Sequence, residues 1–546
     1  MELVAREENN VFEICDGIIT KMSPKAFITE FLMNSVMKES NDVSVFVAQL
    51  GVWGNAIVNT LKAKGLKDAT NSKGGGALKP KENEFNYIVA AKTNTWFSIF
   101  YNINGNIVSI YAYENMIPID ESTILKDFGE EGDTLTTAMF NALTEMRRLG
   151  CKHNTISSSS YHIWKDTYNK YDFRKIFREP FEEEYEFIKN AHHGGLCYVN
   201  HKGSVGKGIV LDVNSLYPYE MRSKRFPVGK PKIFKGEIPE AYEKSDVLTY
   251  YVNFTCKFKI KENHVPFVRA MNDDKYSQNN ILTTSSVIDK ITGEEYDELV
   301  DDDGVIYPVR ANLYMFKEEF HLFQEQYDIE DLQIVECYGY FAAKGVFDKF
   351  IDRYMYMKEH ATNKSERRIA KMLMNSTSGN LAKKKKRDSV CFGDEMTIIT
   401  TKSRTQSHIV LGAAITSYGM CDIVRHAQAN YDHFLYTDTD SLHLDCDIQD
   451  VVGVEIDDKM LGAFKLEHTF ESATYVKQKV YYFKENGETI VKWSGMREEQ
   501  RNIIAEHLNN GEDVNGMELE YCIYCVSNFD TMEKEKITNR YRIDIA

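Results

Sequence analysis

The chain has 546 residues, of which 43% are hydrophobic and 27% are charged, and its formal net charge is −16. This length exceeds the roughly 250 to 300 residues at which a single core stops growing, so several domains are expected. The composition is that of a globular protein, and no apolar run approaches the roughly 18 residues that a membrane span needs. The sequence therefore predicts a water-soluble, multidomain protein with no membrane partner.

The first eight residues lack the basic and then apolar pattern of a secretory signal, which predicts a cytoplasmic location. The negative net charge disfavours general attraction to nucleic acid, but local charge decides binding. One run, 383–387, is entirely basic. Such a run is typical of a solvated loop and also of a nucleic-acid contact, and only the neighbouring motifs distinguish these two interpretations.

The first 185 or so residues predict an α/β domain. Alternating apolar residues favour strands at 96–101 and 107–113, and a helical pattern covers 135–148. The sequence His-His-Gly-Gly follows at 192–195, and its two glycines, Gly194 and Gly195, permit a hinge or a close backbone approach. A second module is predicted at 270–345, and a basic hairpin with a turn at Gly393-Asp394 is predicted between 383 and 407.

A short apolar run at 208–212 predicts a buried strand that ends in Asp212, and Pro218 follows where the chain turns. A carboxylate at a strand end beside a turn can face a cavity and bind a hard cation through oxygen. The same residue also suits a turn or a helix cap.

The segment 436–441 places Asp438 and Asp440 between apolar flanks, which predicts a tight hairpin. Burying two carboxylates costs roughly several kcal/mol unless a counter-ion compensates their charge. A cation site explains this pattern better than structure alone does, and a surface turn rich in Asp is the alternative.

A helix is predicted from about 365 to 381. Arg367, Lys371 and Asn375 are spaced four residues apart and share one face. Ile369, Met372 and Leu373 are predicted to form the opposite, buried face. A solvated amphipathic helix has the same pattern.

Together, these three segments indicate phosphoryl transfer. Two Mg²⁺ or Mn²⁺ ions about 4 Å apart, held by Asp212 and Asp440, would activate a hydroxyl and neutralise a leaving pyrophosphate. Lys371 and a nearby arginine would bind a triphosphate.

The same segments resemble motifs A, B and C of family B DNA polymerases. Motif A is Asp-Val-Asn-Ser-Leu-Tyr-Pro from Asp212, motif B runs from Lys371 to Gly379, and motif C is Tyr-Thr-Asp-Thr-Asp-Ser from Tyr436. Within that family, the chain is similar to the protein-primed replicases of small phages. The resemblance implies a multidomain α+β fold, with a right-hand polymerase of palm, fingers and thumb after a ribonuclease H-like α/β domain of the exonuclease type.

The resemblance also implies a division of the chain. The predicted parts are an exonuclease-like domain (1–190), palm (191–269 and 411–482), a first insertion (270–345), fingers (346–384), a second insertion (385–410) and thumb (483–546). In this family, the first insertion helps to hold a terminal protein and DNA, and the second assists strand displacement and processivity.

Residue roles follow from the resemblance. Asp212 and Asp440 are implied metal ligands, and Asp438 is a supporting catalytic acid. The implied nucleotide-binding residues are Tyr217, Arg367, Lys371 and Asn375, with Tyr217 as the steric gate against a 2′-hydroxyl. The implied primer and DNA contacts are Lys479, Tyr481, Gly194 and Gly195. The resemblance further implies a monomeric enzyme, located in the host cytoplasm if the protein is viral. Its implied partners are template and primer DNA, dNTPs and a terminal protein that supplies the priming hydroxyl.

The sequence departs from the family at several positions. Ser378 replaces a Tyr of motif B, and the segment 416–420 lacks an expected Arg. In the N-terminal domain, Asp16 has no partner Glu two residues later, Trp53 stands where an acid is expected, and Asp133 is the candidate for a remaining acid. We therefore expect a domain that keeps the exonuclease fold but has lost its metal site.

Two other functions fit the sequence. One is a non-catalytic replication or defence factor that kept the fold to bind nucleic acid, although the retained acids and Lys371 speak against it. The other is an RNA-extending or template-independent transferase. Assays with dNTPs and NTPs, with and without template, distinguish these functions.

Overall fold

The computed structural model of the chain describes residues 1–35, 42–70, 80–90, 95–272, 275–289, 291–300, 306–383, 386–392, 396–402, 407–528 and 531–545. Part of the predicted basic run, Lys384 and Lys385, and the predicted turn at Gly393-Asp394 lie outside the described residues.

The N-terminal part combines a mixed sheet with helices on its faces. Its elements are β1 (Glu2–Glu8), β2 (Val11–Cys15), β3 (Ile19–Met22), α1 (Pro24–Ala26), a π-helical segment (Phe27–Ser35), β4 (Asp42–Val47), α2 (Leu50–Ala63), β5 (Lys67–Asp68), β6 (Glu84–Ala90), β7 (Thr95–Ile103), β8 (Asn106–Ala112), α3 (Tyr113–Met116), α4 (Glu121–Phe128), α5 (Leu135–Arg148), α6 (Ile156–Lys165), α7 (Lys170–Ile176) and α8 (Glu182–Asn190). The predicted helix 135–148 and the strands near 96–101 and 107–113 are confirmed.

The order of this sheet is β6-β7-β8-β4-β1-β2-β3. The first three strands form an antiparallel meander, and β1 pairs in parallel with β4, which pairs in parallel with β8. This is the ribonuclease H-like arrangement that was expected. Helix α2 covers one face of the sheet, with Trp53 fully buried in the core.

The middle of the chain forms one antiparallel sheet and several small hairpins, and it contributes β9, β10 and β11 to sheets completed by later strands. Its elements are β9 (Cys197–Val199), β10 (Gly203–Val205), β11 (Gly208–Val213), α9 (Leu216–Ser223), β12 (Arg225–Lys235), α10 (Glu240–Lys244), β13 (Leu248–Ile260), β14 (Arg269–Asn272), β15 (Lys275–Ile281), β16 (Val287–Ile288), β17 (Glu295–Tyr296), β18 (Glu298–Val300), β19 (Ile306–Pro308), β20 (Ala311–Phe316), α11 (Lys317–Gln326) and β21 (Tyr327–Lys344).

The remainder begins with a helical pair and ends in a long hairpin. Its elements are α12 (Asp348–Glu359), α13 (Lys364–Leu381), β22 (Lys386–Phe392), β23 (Met396–Lys402), α14 (Ile409–Ala429), a 3₁₀ turn (Tyr431–His433), β24 (Phe434–Asp438), β25 (Ser441–Leu444), a 3₁₀ turn (Ile448–Asp450), β26 (Phe464–Phe470), β27 (Ser472–Lys477), β28 (Val480–Glu485), β29 (Glu488–Trp493), α15 (Glu498–Asn509), β30 (Glu518–Asn528) and β31 (Glu533–Arg542). The predicted helix 365–381 begins one residue earlier, where the side chain of Asn363 caps it.

The sheet that carries the candidate acids has the order β26-β11-β25-β24-β9. A second sheet has the order β12-β21-β13-β20, and its strands come from both sides of the predicted boundary at residue 270. That boundary therefore divides a single sheet. The strands that lie outside this sheet in the predicted first insertion are the short hairpins β14 to β19.

Helices α12 and α13 pack against each other, and α13 also packs on α4, α5 and α6 of the N-terminal domain. The hairpin β22–β23 pairs with β6 of that domain, with Ser389 opposite Ala90. The polymerase-like part therefore contacts the N-terminal sheet directly. In the described part of the chain, none of the helices combines the length and apolar character that crossing a bilayer requires.

Candidate active site

The sheet brings together two aspartates that are far apart in sequence. Asp212 lies on β11, opposite Ser441 of β25 on one side and Lys465 of β26 on the other. Asp440 lies in the turn between β24 and β25, and its carbonyl oxygen accepts a hydrogen bond from the Val213 nitrogen at 2.8 Å. The predicted meeting of Asp212 and Asp440 is therefore present in the backbone pairing itself.

Burial and neighbouring carboxylates raise the pKa of both aspartates. Burial, and then the nearby Asp212 carboxylate, raise the pKa of Asp440 to about 7. Burial and Glu467 raise the pKa of Asp212, while Lys465 and Lys371 act to lower it. Because two close carboxylates repel each other in a half-buried site, a divalent cation would stabilise the ionised pair.

The donor set suits Mg²⁺ shared with a substrate. Among the described residues, no group of three or more His, Cys, Asp and Glu side chains is arranged to hold a metal ion. Mg²⁺ commonly binds through one or two carboxylates together with substrate phosphates, and it does not need a cage made of protein alone. Asp212 and Asp440 therefore fit a metal that binds with its nucleotide.

Asp438 is neutralised from within the protein. Lys479 Nζ lies 3.2 Å from Asp438 Oδ1, and the Thr439 hydroxyl donates to the same oxygen at 3.2 Å. The Tyr481 ring packs against Tyr436 at a centroid distance of 5.0 Å. Lys479 and Tyr481, predicted as primer contacts, thus also support the strand that leads to Asp440.

The predicted glycine pair lies against the same turn. A Cβ atom on Gly195 would lie 2.4 Å from Thr439 Oγ1, whereas one on Gly194 would meet no atom within 4 Å. The Thr439 nitrogen donates to the Leu196 carbonyl at 2.7 Å, and Arg269 donates to the carbonyls of both glycines. Gly195 is therefore required by packing against the turn that holds Asp440.

Helix α13 presents the predicted polar face to solvent. Arg367, Lys371 and Asn375 are exposed, while Ile369 and Leu373 are fully buried. Met372, which was predicted to lie on the buried face, is only half-buried at the rim of the core.

Ser378, which replaces the family's Tyr, lies on the buried side of α13. Its hydroxyl donates to the Asn375 carbonyl at 3.3 Å.

Two lysines of this region were missed by the sequence reasoning. Burial lowers the pKa of Lys358, and the neighbouring Lys371 and Arg367, together with Lys465, lower it further. Lys465 Nζ lies 3.5 Å from Asp212 Oδ1. The alternation of Lys465 and Glu467 along one strand face was a visible signal, but Lys358 reaches the site only through the packing of α12 on α13.

Tyr217 lies beside the acids. It follows a turn in which Ser215 adopts a left-handed φ of 58°. Burial, and then Asp440, raise the pKa of Tyr217 to about 12. Its ring packs so close to Gly419 of α14 that a Cβ there would lie 3.2 Å from Tyr217 Cε1. The segment 416–420, in which the family's Arg is missing, therefore supports the Tyr217 ring.

The predicted residues of the N-terminal domain, Asp16, Trp53 and Asp133, lie in three different elements. Asp16 lies in the exposed turn between β2 and β3, where its Oδ1 accepts a hydrogen bond from the Ile18 nitrogen at 3.3 Å. The first strand, β1, carries Glu7, whose side chain is buried. Lys534 Nζ is 2.5 Å from Glu7 Oε2 and 5.9 Å from the centroid of the Trp53 ring, so one ammonium is close to both side chains. Asp133 accepts hydrogen bonds from the Glu130 nitrogen and Asn141 Nδ2 in the turn before α5.

Comparison with known proteins identifies the family. The family model described as DNA polymerase type B, organellar and viral, matches residues 133–451. The DNA polymerase of Bacillus phage Nf is 29% identical over 360 residues, which cover 62% of this chain and 57% of the phage protein. The DNA polymerase of Bacillus phage phi29 is 26% identical over 425 residues, covering 74% of this chain and 65% of the phage protein. The aligned stretch thus spans little more than half the length of the Nf relative.

The fold has a solved counterpart. The phi29 DNA polymerase, in a complex with primer-template DNA, superposes with a TM-score of 0.78 over 100% of this chain and 98% of the other, at 21% identity. A second structure of that enzyme, with primer-template DNA and incoming nucleotides, gives a TM-score of 0.76. The right-hand polymerase fold that the sequence predicted is confirmed.

Proposed function

We propose, from the premise that the chain belongs to the organellar and viral type B DNA polymerases, that it is a template-directed DNA polymerase of the protein-primed kind. The observation that carries this proposal is the pairing of Asp212 and Asp440 across β11 and the β24–β25 turn, close to the cations of α13. We propose palm, fingers and thumb boundaries as predicted, except that the first insertion is confined to about 269–308, where the short hairpins lie outside the larger sheet.

Nucleotide transfer would rest on the two acids. Two Mg²⁺ or Mn²⁺ ions held there would activate the primer hydroxyl and neutralise the leaving pyrophosphate. Asp212 and Asp440 would supply the negative charge that binds these ions. The backbone hydrogen bond from the Val213 nitrogen to the Asp440 carbonyl fixes the separation of the two residues. Asp438 acts through Lys479, whose ammonium holds the hairpin in place.

The triphosphate would bind on the exposed face of α13, through Arg367, Lys371 and Asn375. Lys358 and Lys465 add positive charge to the same space. Cations placed where phosphate charge develops contribute directly to transition-state stabilisation. The pKa of Lys358 is lowered first by burial and then by the nearby cations Lys371 and Arg367, and a polyanionic ligand would relieve the repulsion among these cations.

Tyr217 is proposed as the steric gate. Its ring packs against Gly419 of α14, which limits its movement away from an incoming sugar. A fixed ring that clashes with a 2′-hydroxyl gives preference for deoxynucleotides by penalising the wrong substrate.

Protein priming is proposed from the resemblance, with a terminal protein that supplies the first hydroxyl. The small hairpins at 269–308 and the hairpin β22–β23 correspond in position to the two insertions of the protein-primed group. Template DNA, primer DNA and dNTPs are the other proposed partners of a monomeric enzyme in the host cytoplasm. The solved phi29 complexes with DNA and nucleotides support the DNA and dNTP partners.

Proofreading is proposed to be absent. Trp53 fills the position of an expected acid, and Lys534 neutralises Glu7 in the same cleft. A nuclease assay on single-stranded DNA tests this, and 3′ to 5′ degradation that Glu7→Gln abolishes would overturn it.

Primer extension tests the function as a whole. The expected result is incorporation of dNTPs that depends on template and strongly exceeds incorporation of NTPs. Asp440→Ala should abolish it while leaving DNA binding within a few-fold, since the acid serves chemistry more than affinity. DNA binding without any incorporation would favour the non-catalytic factor instead, and incorporation without template would favour a terminal transferase.

Priming is tested separately. The full chain is incubated with a candidate terminal protein, Mg²⁺ and labelled dATP, and covalent label is sought on the terminal protein. Label that requires Asp440 supports protein priming, whereas extension of DNA primers alone contradicts it.

A further inference from the structure

The N-terminal domain and the last hairpin of the chain enclose a cleft. The cleft has a volume of about 520 Å³, and it is lined by Glu7, Gln49 and Val52 from the domain and by Cys522, Tyr524 and Lys534 from the hairpin β30–β31. Helix α2 packs against β30 on one side of it. Two segments from opposite ends of the chain therefore share one surface.

A buried ion pair lies in this cleft. Lys534 Nζ is 2.5 Å from Glu7 Oε2, and the Glu7 side chain is only 4% exposed. The other Glu7 oxygen accepts a hydrogen bond from the Asn10 nitrogen at 2.7 Å. The ammonium also lies 5.9 Å from the centroid of the Trp53 ring and 5.5 Å from that of Tyr524. Both oxygens of the buried carboxylate thus have partners, and aromatic rings flank the cation.

The contact extends beyond the ion pair. Val526 and Met532, near the end of the hairpin, are buried within the hydrophobic core of the N-terminal domain. A buried charge pair with apolar neighbours is costly to separate, because each partner would be left without compensation in a poorly solvated site. The geometry favours a persistent contact.

We propose that the cleft of the N-terminal domain is a docking site for the chain's own C-terminal hairpin, latched by Lys534 on Glu7 and Trp53. The internal ammonium supplies the positive charge that Glu7 requires, and the indole fills the space beside it. The domain then serves to hold the hairpin in place instead of cutting DNA. This explains why it retains a complete core around Trp53.

The latch has a consequence for the polymerase, which rests on the proposed function. The hairpin follows α15, which packs on β29 of the sheet that carries Lys479. Pinning the hairpin to the N-terminal domain therefore restrains the element next to the proposed primer contact. Release of the latch should shorten the DNA made per binding event without changing the rate of a single incorporation.

Hydrogen–deuterium exchange on the full chain without DNA tests the latch independently of any activity. Lys534→Met should accelerate exchange of amides in 518–528 and 533–542 by about tenfold or more, because Glu7 is left buried and unpaired. Lys536→Met, an exposed lysine on the same strand, is the matched control and should leave exchange unchanged. Unchanged exchange in Lys534→Met, or equal acceleration in both variants, would overturn the proposal.

A charge swap distinguishes loss of the ion pair from misfolding of a single variant. Glu7→Lys and Lys534→Glu should each accelerate hairpin exchange, and the double variant should recover most of the protection. A double variant no better than the singles would refute a direct pair. Processivity, measured with a DNA trap, should fall in Lys534→Met and not in Lys536→Met. If the protein has no polymerase activity, the exchange results still decide the latch.

Discussion

The palm-like sheet and the N-terminal cleft each hold acids beside a lysine. The two sites differ in how fully the lysine compensates the charge of the carboxylates. In the sheet, Lys465 lies 3.5 Å from Asp212 and is shared with Glu467, and Asp440 keeps a raised pKa. In the cleft, Lys534 lies 2.5 Å from Glu7, whose second oxygen is also bonded. In the sheet, repulsion between the carboxylates persists beside Lys465, whereas both carboxylate oxygens of Glu7 have partners.

This difference bears on the roles proposed for the two sites, which are metal binding in the sheet and a structural contact in the cleft. A count of acids does not distinguish them, because both contain carboxylates near strand ends. The balance of internal cations does distinguish them, since an under-compensated pair gains most from a divalent ion.

The largest expected effect is at the palm acids. Asp212→Asn should lower the rate of nucleotide incorporation by about a thousandfold or more, because one carboxylate of the metal pair becomes neutral. Single-turnover primer extension measures it. Asp447→Asn, at a surface ion pair with Lys207, is the control and should retain near-normal rates. Similar losses in both variants would mean that the effect is not specific to the site.

The cations near α13 should give a smaller effect. Lys371→Ala should lower kcat/KM for dNTPs by about 100-fold and Lys358→Ala by about tenfold, since each removes charge that faces the triphosphate. Lys349→Ala, on the exposed side of α12, is the matched control. A Lys358 variant that behaves like the Lys349 variant would remove Lys358 from the site.

The glycine beside the Asp440 turn should have a comparable or smaller effect. Gly195→Ala places a Cβ 2.4 Å from Thr439 Oγ1 and should reduce incorporation by about tenfold by shifting the turn. Gly194→Ala, whose Cβ meets no atom within 4 Å, should reduce it less. Thr439→Gly in the Gly195→Ala background should restore activity, because it removes the clash and suits the left-handed φ of 64°. Failure of this rescue would contradict the packing explanation.

The smallest expected effect is on stability. Asp440 has a pKa of about 7 in the folded protein against 3.8 as the ordinary value, so the folded state binds more protons between these pH values. Its contribution is therefore present at low pH and is lost as pH rises towards 7. With EDTA at pH 8, Asp440→Asn should raise Tm by about 2 °C, and at pH 4 it should change Tm little. A decrease at pH 8 would contradict the repulsion between the acids.

Local sequence patterns were sufficient for much of the fold. Apolar periodicity located α13 to within one residue and placed β11 in the core, and the sheet brings Asp212 and Asp440 together as the motifs predicted. Contacts that tertiary packing creates were not accessible. Glu7 and Lys534 are 527 residues apart, and Lys358 approaches Lys371 only because α12 packs on α13.

Two features of the fold were not visible in the sequence pattern. Asp16 lies in an exposed turn, whereas Glu7, which the sequence pattern did not single out, is buried beside Lys534. The boundary predicted at residue 270 runs through one sheet because β20 and β21 return to pair with β12 and β13, and turn signals in a sequence do not reveal such long-range pairing.

The central claim is that Asp212 and Asp440 together hold the catalytic metal ions. Anomalous diffraction from crystals with Mn²⁺, primer-template DNA and a non-reactive dNTP analogue tests it most directly. The account predicts manganese peaks about 2.1 Å from oxygens of both carboxylates, as expected for this type of ligand. Ordered DNA and nucleotide with no manganese at either aspartate, or with manganese bound only elsewhere, would contradict it.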